Sequence, residues 1–369
     1  MGLLDRYRQF QELSPEEVSA GLREEADERR RKALARVGEL DLSRTTWHEY
    51  PPSVVVDAIT FTARRGLHRY ADSAGELRAA LAHRHGVDAE RVVIGDGASQ
   101  LLSSAAQALM EPGDELLTPW PSYPLYPVMA REAGGEVATV TGHDVDSILA
   151  AVTKKTRLVV IANPNDPTGE LIGSAELDRL LGALPDRVGV LLDEALRDFV
   201  TAEEQDAALR LTDRHPRLIV FRSFSKAWGL AGLRCGYAVC GPGAEPLLAG
   251  IGPPLGIGEL TQAGVLEALQ AIPAVVAARA VTVSGERTRL YGELAGLPVE
   301  PLPGSQANFI WLAAEGLDGP GLASALARFS LKVATGAVLG DQRHVRVTVQ
   351  DEAAGTRFLR ALEQALGRD

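Results

Sequence analysis

Between Val92 and Phe221 the chain reads as a series of short apolar runs, each stopping at a polar, glycine or proline residue. Val92-Val-Ile94, Glu115-Leu-Leu117, Leu158-Val-Val-Ile161, Val188-Gly-Val-Leu-Leu192 and Leu218-Ile-Val-Phe221 are too short for buried helices. They lack the apolar–polar alternation of a half-exposed strand, which predicts strands covered on both faces. Helical periodicity lies between several of them, as over 174–183. Strands alternating with helices predict an α/β fold, a mainly parallel sheet flanked by helices. Ahead of this region, Ser14 to Arg36 carries dense mixed charge, and Ser14-Pro15-Glu16-Glu17 reads as a helix start. The balanced signs point to a structural or dimer-contacting helix rather than a binding tail. After Gly252-Pro-Pro-Leu-Gly256 a long helical stretch begins near Glu259, followed by strands around 308–312 and 344–349, which predict a smaller α+β unit. The expected division is an N-terminal segment 1–46 joining the small domain, a large domain 47–258, and an interdomain helix with the C-terminal small domain over 259–369.

A chain of 369 residues is long enough for one large and one smaller domain. Thirty-eight basic against forty-nine acidic side chains leave a formal charge of −11. That balance argues against a nucleic-acid partner held through counterion release, although it leaves room for local basic pockets. Cys235 and Cys240 flank a predicted strand and do not make a disulfide framework, so a reducing, cytoplasmic setting is expected. The first residues lack the apolar core of a signal peptide, and no run approaches a membrane span, so no membrane partner is expected.

In parallel sheets ligands collect beyond the carboxyl ends of the strands. Four polar segments fall at such ends: Gly95 to Gln100, Asn163 to Gly169, Asp193-Glu-Ala, and Ser223-Phe-Ser-Lys226. A lysine desolvated near a second cation loses proton affinity and becomes a usable amine nucleophile, and Lys226 with Arg234 fits that description. Ser223, Ser225 and the forked guanidinium of Arg234 suit a phosphate. Gly97-Ala98-Ser99-Gln100 opens an apolar helix whose first amides can bind the same group. Asp193, at a buried strand end, needs a compensating cation, if it is not simply a helix cap or half of a buried salt bridge. Trp120-Pro-Ser-Tyr123-Pro-Leu-Tyr-Pro places aromatics in a stiff loop. His83-Arg-His85 looks metal-like, but without nearby cysteines or carboxylates it reads as a solvated helix end, and no metal is expected.

The segment from Ser223 to Gly236 resembles the cofactor-lysine signature of fold-type I pyridoxal 5'-phosphate (PLP) enzymes. It is most similar to the class I/II aminotransferases of the histidinol-phosphate aminotransferase branch, and the resemblance covers nearly everything from Trp47 onward. The resemblance implies a Schiff base on Lys226, Asp193 paired with the ring nitrogen, and Tyr123 stacked on the ring. It implies a phosphate held by Gly97, Ala98, Ser99, Ser223, Ser225, Arg234 and the neighbouring subunit's counterpart of Tyr70, hence a homodimer. Arg346 would clamp the substrate α-carboxylate, with Asn308 close to it.

Two departures from the family pattern concern the same cofactor atom, and a third concerns the substrate. Asp166 stands where asparagine precedes Pro-Thr-Gly, and Leu196 stands where tyrosine follows Asp-x-Ala. Both usual residues donate to the phenolate oxygen of PLP, which an ionised aspartate cannot do. A compensating cation is therefore expected, either Arg197 or Arg222. The branch also carries an arginine for a substrate phosphate on the strand before the clamp. Thr335 is expected at that place, with Lys332 as the alternative cation. The implied activity is transfer of an amino group between an amino acid, or an amino-acid-like amine, and a 2-oxo acid. The same lysine would equally serve a decarboxylase, lyase or oxidase, and a non-catalytic PLP-sensing module is the reading from another class.

Overall fold

A computed structural model describes residues 38–71 and 74–367. The predicted charged helix over 14–36 lies outside the described residues. In chain order the strands are β1 (Leu40–Leu42), β2 (Val92–Gly95), β3 (Glu115–Trp120), β4 (Glu136–Thr141), β5 (Thr156–Ala162) and β6 (Gly189–Asp193). There follow β7 (Leu218–Ser223), β8 (Gly236–Cys240), β9 (Val299–Pro301), β10 (Phe309–Ala314), β11 (Leu331–Thr335) and β12 (His344–Thr348). The helices are α1 (Ser53–Gly66), α2 (Gly75–His85), α3 (Ala98–Leu109), α4 (Leu125–Glu132), α5 (Val145–Ala151) and α6 (Ser174–Ala183). The remainder are α7 (Glu245–Ile251), α8 (Glu259–Ala271), α9 (Pro273–Leu294), α10 (Gly319–Ala327) and α11 (Glu352–Ala365).

The large sheet has the order β2-β8-β7-β6-β5-β3-β4. It is parallel except at β8, which runs antiparallel to both β2 and β7. Helices cover both faces, and the unbroken apolar runs reflect this. Leu158, Val160, Leu191, Ile219 and Phe221 point into one core with α3 and α4. Val159, Ile161, Val190, Leu192 and Val220, on alternate positions, point into the other with α5 and α6. Residues of one strand thus divide by parity between two buried layers.

A second sheet has the order β1-β11-β12-β10-β9. Its N-terminal strand β1 lies parallel to β11, so residues some 290 positions apart in sequence become neighbours, with Leu40 opposite Leu331. The helical stretch expected to start near Glu259 is two helices, α8 and α9, bent by 73°. Pro273 sits at the first turn of α9, where its missing N–H costs nothing; carrying α8 onward through it would lose a helix bond. His85 also departs from expectation. Its side chain is buried rather than solvated, with Nδ1 3.1 Å from Asp206 and Nε2 2.9 Å from the Tyr237 hydroxyl.

Candidate active site

The carboxyl ends of β5, β6 and β7 converge on a cleft that also receives the N-terminus of α3. Its walls include Ala98, Ser99, Tyr123, Asp166, Asp193, Ser223, Ser225, Lys226 and Arg234. These are residues from five separate segments of the sequence, brought together because parallel strands carry their terminal loops to one edge.

Strand parity decides which side chains enter. Asp193 and Ser223 share the parity of Leu191 and Phe221, so they face the α3 side, where the cleft opens. Asp193 Oδ2 accepts from the Tyr126 hydroxyl at 2.9 Å, and Oδ1 accepts from the Ala195 amide at 3.0 Å. Burial nevertheless pushes the Asp193 carboxyl up to about 6. Lys226 is half-buried; desolvation lowers its proton affinity, and the Arg346 and Arg234 charges add to that while Asp166 and Asp193 oppose it. Its amine donates to the Thr45 hydroxyl.

On the far side of the cleft Arg234 lies against Ser225, 3.4 Å from its hydroxyl. Gly97 takes φ +90° at the mouth of α3, and a Cβ there would stand 2.8 Å from the Arg234 guanidinium. The result is a concave group of hydroxyls, one guanidinium and free helix amides. A phosphate fits that donor set. A buried carboxylate with a raised pKa fits a protonated ring nitrogen, and a desolvated amine fits an aldehyde, so the residues present suit PLP.

Opposite, Arg346 projects from β12 and forms an ion pair with Asp166. Its second fork nitrogen donates to the Ser43 carbonyl at 3.1 Å. Asn308 donates to the Thr45 carbonyl at 3.0 Å. Tyr70 does not join the cleft of its own chain; it is 90% exposed on the loop after α1.

The cation beside Asp166 is therefore Arg346, not Arg197 or Arg222. Arg222 shares the parity of Leu218 and Val220, which sends it to the opposite layer. There it bonds Glu194 at 2.9 Å and Asp206 at 2.6 Å. Arg197 is spent on Glu203 at 2.8 Å and the Gln205 carbonyl at 2.9 Å. The register of β11 corrects the Thr335 expectation in the same way. Ala334 pairs with Arg346 and shares its face, whereas Thr335 pairs with the core residue Val345. Lys332 does have Ala334's parity but lies exposed beside Asp41.

Three contributors were not foreseen. Tyr126 lies in the first turn of α4, three residues after Tyr123, in a stretch that reads as a loop from the sequence alone. Thr45 and Thr46 belong to the segment after β1, and only the β1–β11 pairing carries them across the cleft.

The family model for aminotransferase class I and II matches residues 37–362. The chain belongs to this family. The aromatic amino acid aminotransferase of Corynebacterium jeikeium is 38% identical over 325 residues, covering 85% of this chain and 86% of that one. Histidinol-phosphate aminotransferase 1 of Nitrosococcus oceani is 35% identical over 321 residues, 86% of each chain. Among solved structures, histidinol-phosphate aminotransferase from Sinorhizobium meliloti in complex with PLP superposes with a TM-score of 0.78. It is 25% identical, with 92% of this chain and 94% of that one covered. A Thermus thermophilus aspartate aminotransferase variant shares the fold with a TM-score of 0.81 at 24% identity, covering 97% and 99%. The fold is that of the fold-type I PLP enzymes, and the protein is a PLP-dependent aminotransferase.

Proposed function

We propose that this aminotransferase moves an amino group between an amino acid, or an amino-acid-like amine, and a 2-oxo acid, with Lys226 as its catalytic residue. The observation that carries the reading is the half-buried Lys226 amine, with lowered proton affinity, in one cleft with the buried Asp193. PLP, when bound, supplies a carbonyl carbon for that amine and a ring that takes up an electron pair. Asp193 keeps a proton on the ring nitrogen, and Tyr126 holds the Asp193 carboxylate in place. Tyr123 covers the ring. Gly97, Ala98, Ser99, Ser223, Ser225 and Arg234 hold the phosphate. Lys226, once freed by substrate, moves the proton at the substrate Cα, where a low-pKa amine can both take and return it. Arg346 and Asn308 orient the substrate carboxylate.

The active unit in this reading is a homodimer in which Tyr70 reaches the phosphate bound by the partner. What supports it is a set of exposed apolar side chains: Phe61 on α1, Leu67 and Tyr70 after it, and Leu255 on the 253–256 loop. Two buried, unpaired cysteines fit a cytoplasmic setting. The division into a large domain at 47–258 and a small one formed by 1–46 with 259–369 belongs to the same reading, and β1 in the small sheet supports it.

The test is absorbance of the purified holoenzyme during anaerobic titration with a panel of amino acids. The expected result is stoichiometric pyridoxamine phosphate from at least one donor, and loss of turnover by more than about 10²-fold in Lys226→Ala. Carbon dioxide or ammonia release without pyridoxamine phosphate would overturn it.

A further inference from the structure

Asp166 stands where the family carries asparagine, and what it does there is visible. Its carboxylate is paired with Arg346 inside the protein, the two side chains being 12% and 11% exposed. Asp166 also lines the cleft, close enough to Lys226 and Asp193 for its charge to raise the proton affinity of both. One arm of the Arg346 fork is thus taken by a carboxylate of the chain itself, and the other meets the Ser43 carbonyl. Arg346 Nε is buried without a hydrogen-bond partner among the described residues, as is Asn308 Oδ1.

An α-carboxylate arriving at Arg346 meets a guanidinium already neutralised. Either two carboxylates crowd one cation at low dielectric, or Asp166 must leave and lose a buried partner; both cost affinity. Asparagine would impose neither cost. An amine with no carboxylate on its α-carbon leaves the pair intact and escapes the competition. Strand β11 puts Ala334, not a cation, beside Arg346, and its Lys332 on the same face lies exposed beside Asp41.

We propose that Asp166 is a specificity-determining residue, an internal carboxylate that occupies Arg346 and biases the site toward amines lacking an α-carboxylate. This rests on the reading that Arg346 is where a substrate carboxylate binds. Specificity here is a difference of affinities, set by a repulsive group as much as by an attractive one.

The test uses the PLP-loaded protein and two probes. 3-Phenylpropionate, a carboxylate without an amine, is titrated by calorimetry; 2-phenylethylamine, an amine without a carboxylate, is titrated by absorbance. Asp166→Asn is expected to tighten 3-phenylpropionate by about thirtyfold or more and to leave 2-phenylethylamine within about threefold. In Asp166→Asn/Arg346→Ala the gain is expected to vanish. Asp166→Ser, checked for retained cofactor and unchanged thermal melting, repeats the comparison should the asparagine variant fold poorly. Equal carboxylate affinity in wild type and both variants, with PLP retained, would overturn the proposal while leaving the aminotransferase reading intact. A gain that survives removal of Arg346 would overturn the proposal together with the assignment of the clamp.

Discussion

The cleft is built from groups held away from their ordinary protonation. Asp193 is buried at a strand end, and burial outweighs the phenol, the amide and the Lys226 charge that stabilise its ionised form, so its pKa rises to about 6. In the cofactor-free protein this has a direct thermodynamic consequence. Between the unfolded value of 3.8 and the native value of about 6, the folded state holds a proton that the unfolded state has released. Stability contributed by this group is therefore present below the unfolded pKa and lost as pH rises through the folded one. A shift of this size corresponds to about 3 kcal/mol at most. Urea denaturation of the apoprotein at pH 4 and pH 7 should show that loss, and Asp193→Asn should lack it. Adding PLP should reverse the trend, because a ring cation beside Asp193 favours its ionised form. A wild-type and Asp193→Asn difference that does not change with pH would count against the assignment. Burial pushes Cys235 up to about 12 and Cys240 to about 11, so both remain thiols with no nucleophilic role.

At the scale of elements, the cleft depends on how closely β8 approaches the start of α3. A Cβ on Gly236 would lie 2.3 Å from the Ala98 amide nitrogen and 2.8 Å from the Arg222 carbonyl, both backbone atoms that cannot swing aside. Gly236→Ala must therefore push the helix N-terminus off the strand. The expected cost is about 1–3 kcal/mol, as for overpacking elsewhere. PLP should also be held more weakly, since the displaced amides face the phosphate position. Thermal melting and equilibrium dialysis of PLP would measure the two effects. Elements were also where local reading worked best. Runs such as Leu158–Ile161 and Leu218–Phe221 announced buried strands because both faces are covered and every position is apolar. The same pattern hid the direction of their ends. Whether Arg222 or Ser223 enters the cleft is a matter of parity, and a run without alternation carries no parity signal. For that reason Arg222 was misplaced at the cofactor.

For the molecule as a whole, Phe61, at 60%, and Leu255, at 83%, are large apolar side chains left exposed in the single chain. Large apolar groups at such exposure mark association surfaces when they gather on one side. Leu255 borders the same hollow as Ala71, next to Tyr70, so the loops that carry them meet. Light scattering should give a dimer at micromolar concentration, and Phe61→Asp should shift it toward monomer. Loss of the dimer should carry loss of PLP affinity with it, since Tyr70 acts from the neighbouring subunit in this reading. A monomeric wild type, or a monomeric variant with full PLP affinity, would contradict it.

The sequence by itself determined the α/β class, the run of strands and the loops at their carboxyl ends. Those properties rest on burial and local turn chemistry, which neighbouring residues encode. It also singled out Lys226, Asp193 and Arg234 as chemically apt residues at strand ends, and the family resemblance added Arg346. Only the tertiary structure decided who meets whom. Thr45 reaches Lys226 because β1 pairs with β11, and Asp166 meets Arg346 across 180 residues of chain. Ion pairs of that kind follow from sheet register and the parity of side chains, quantities set by the packing of distant elements and written in no single segment.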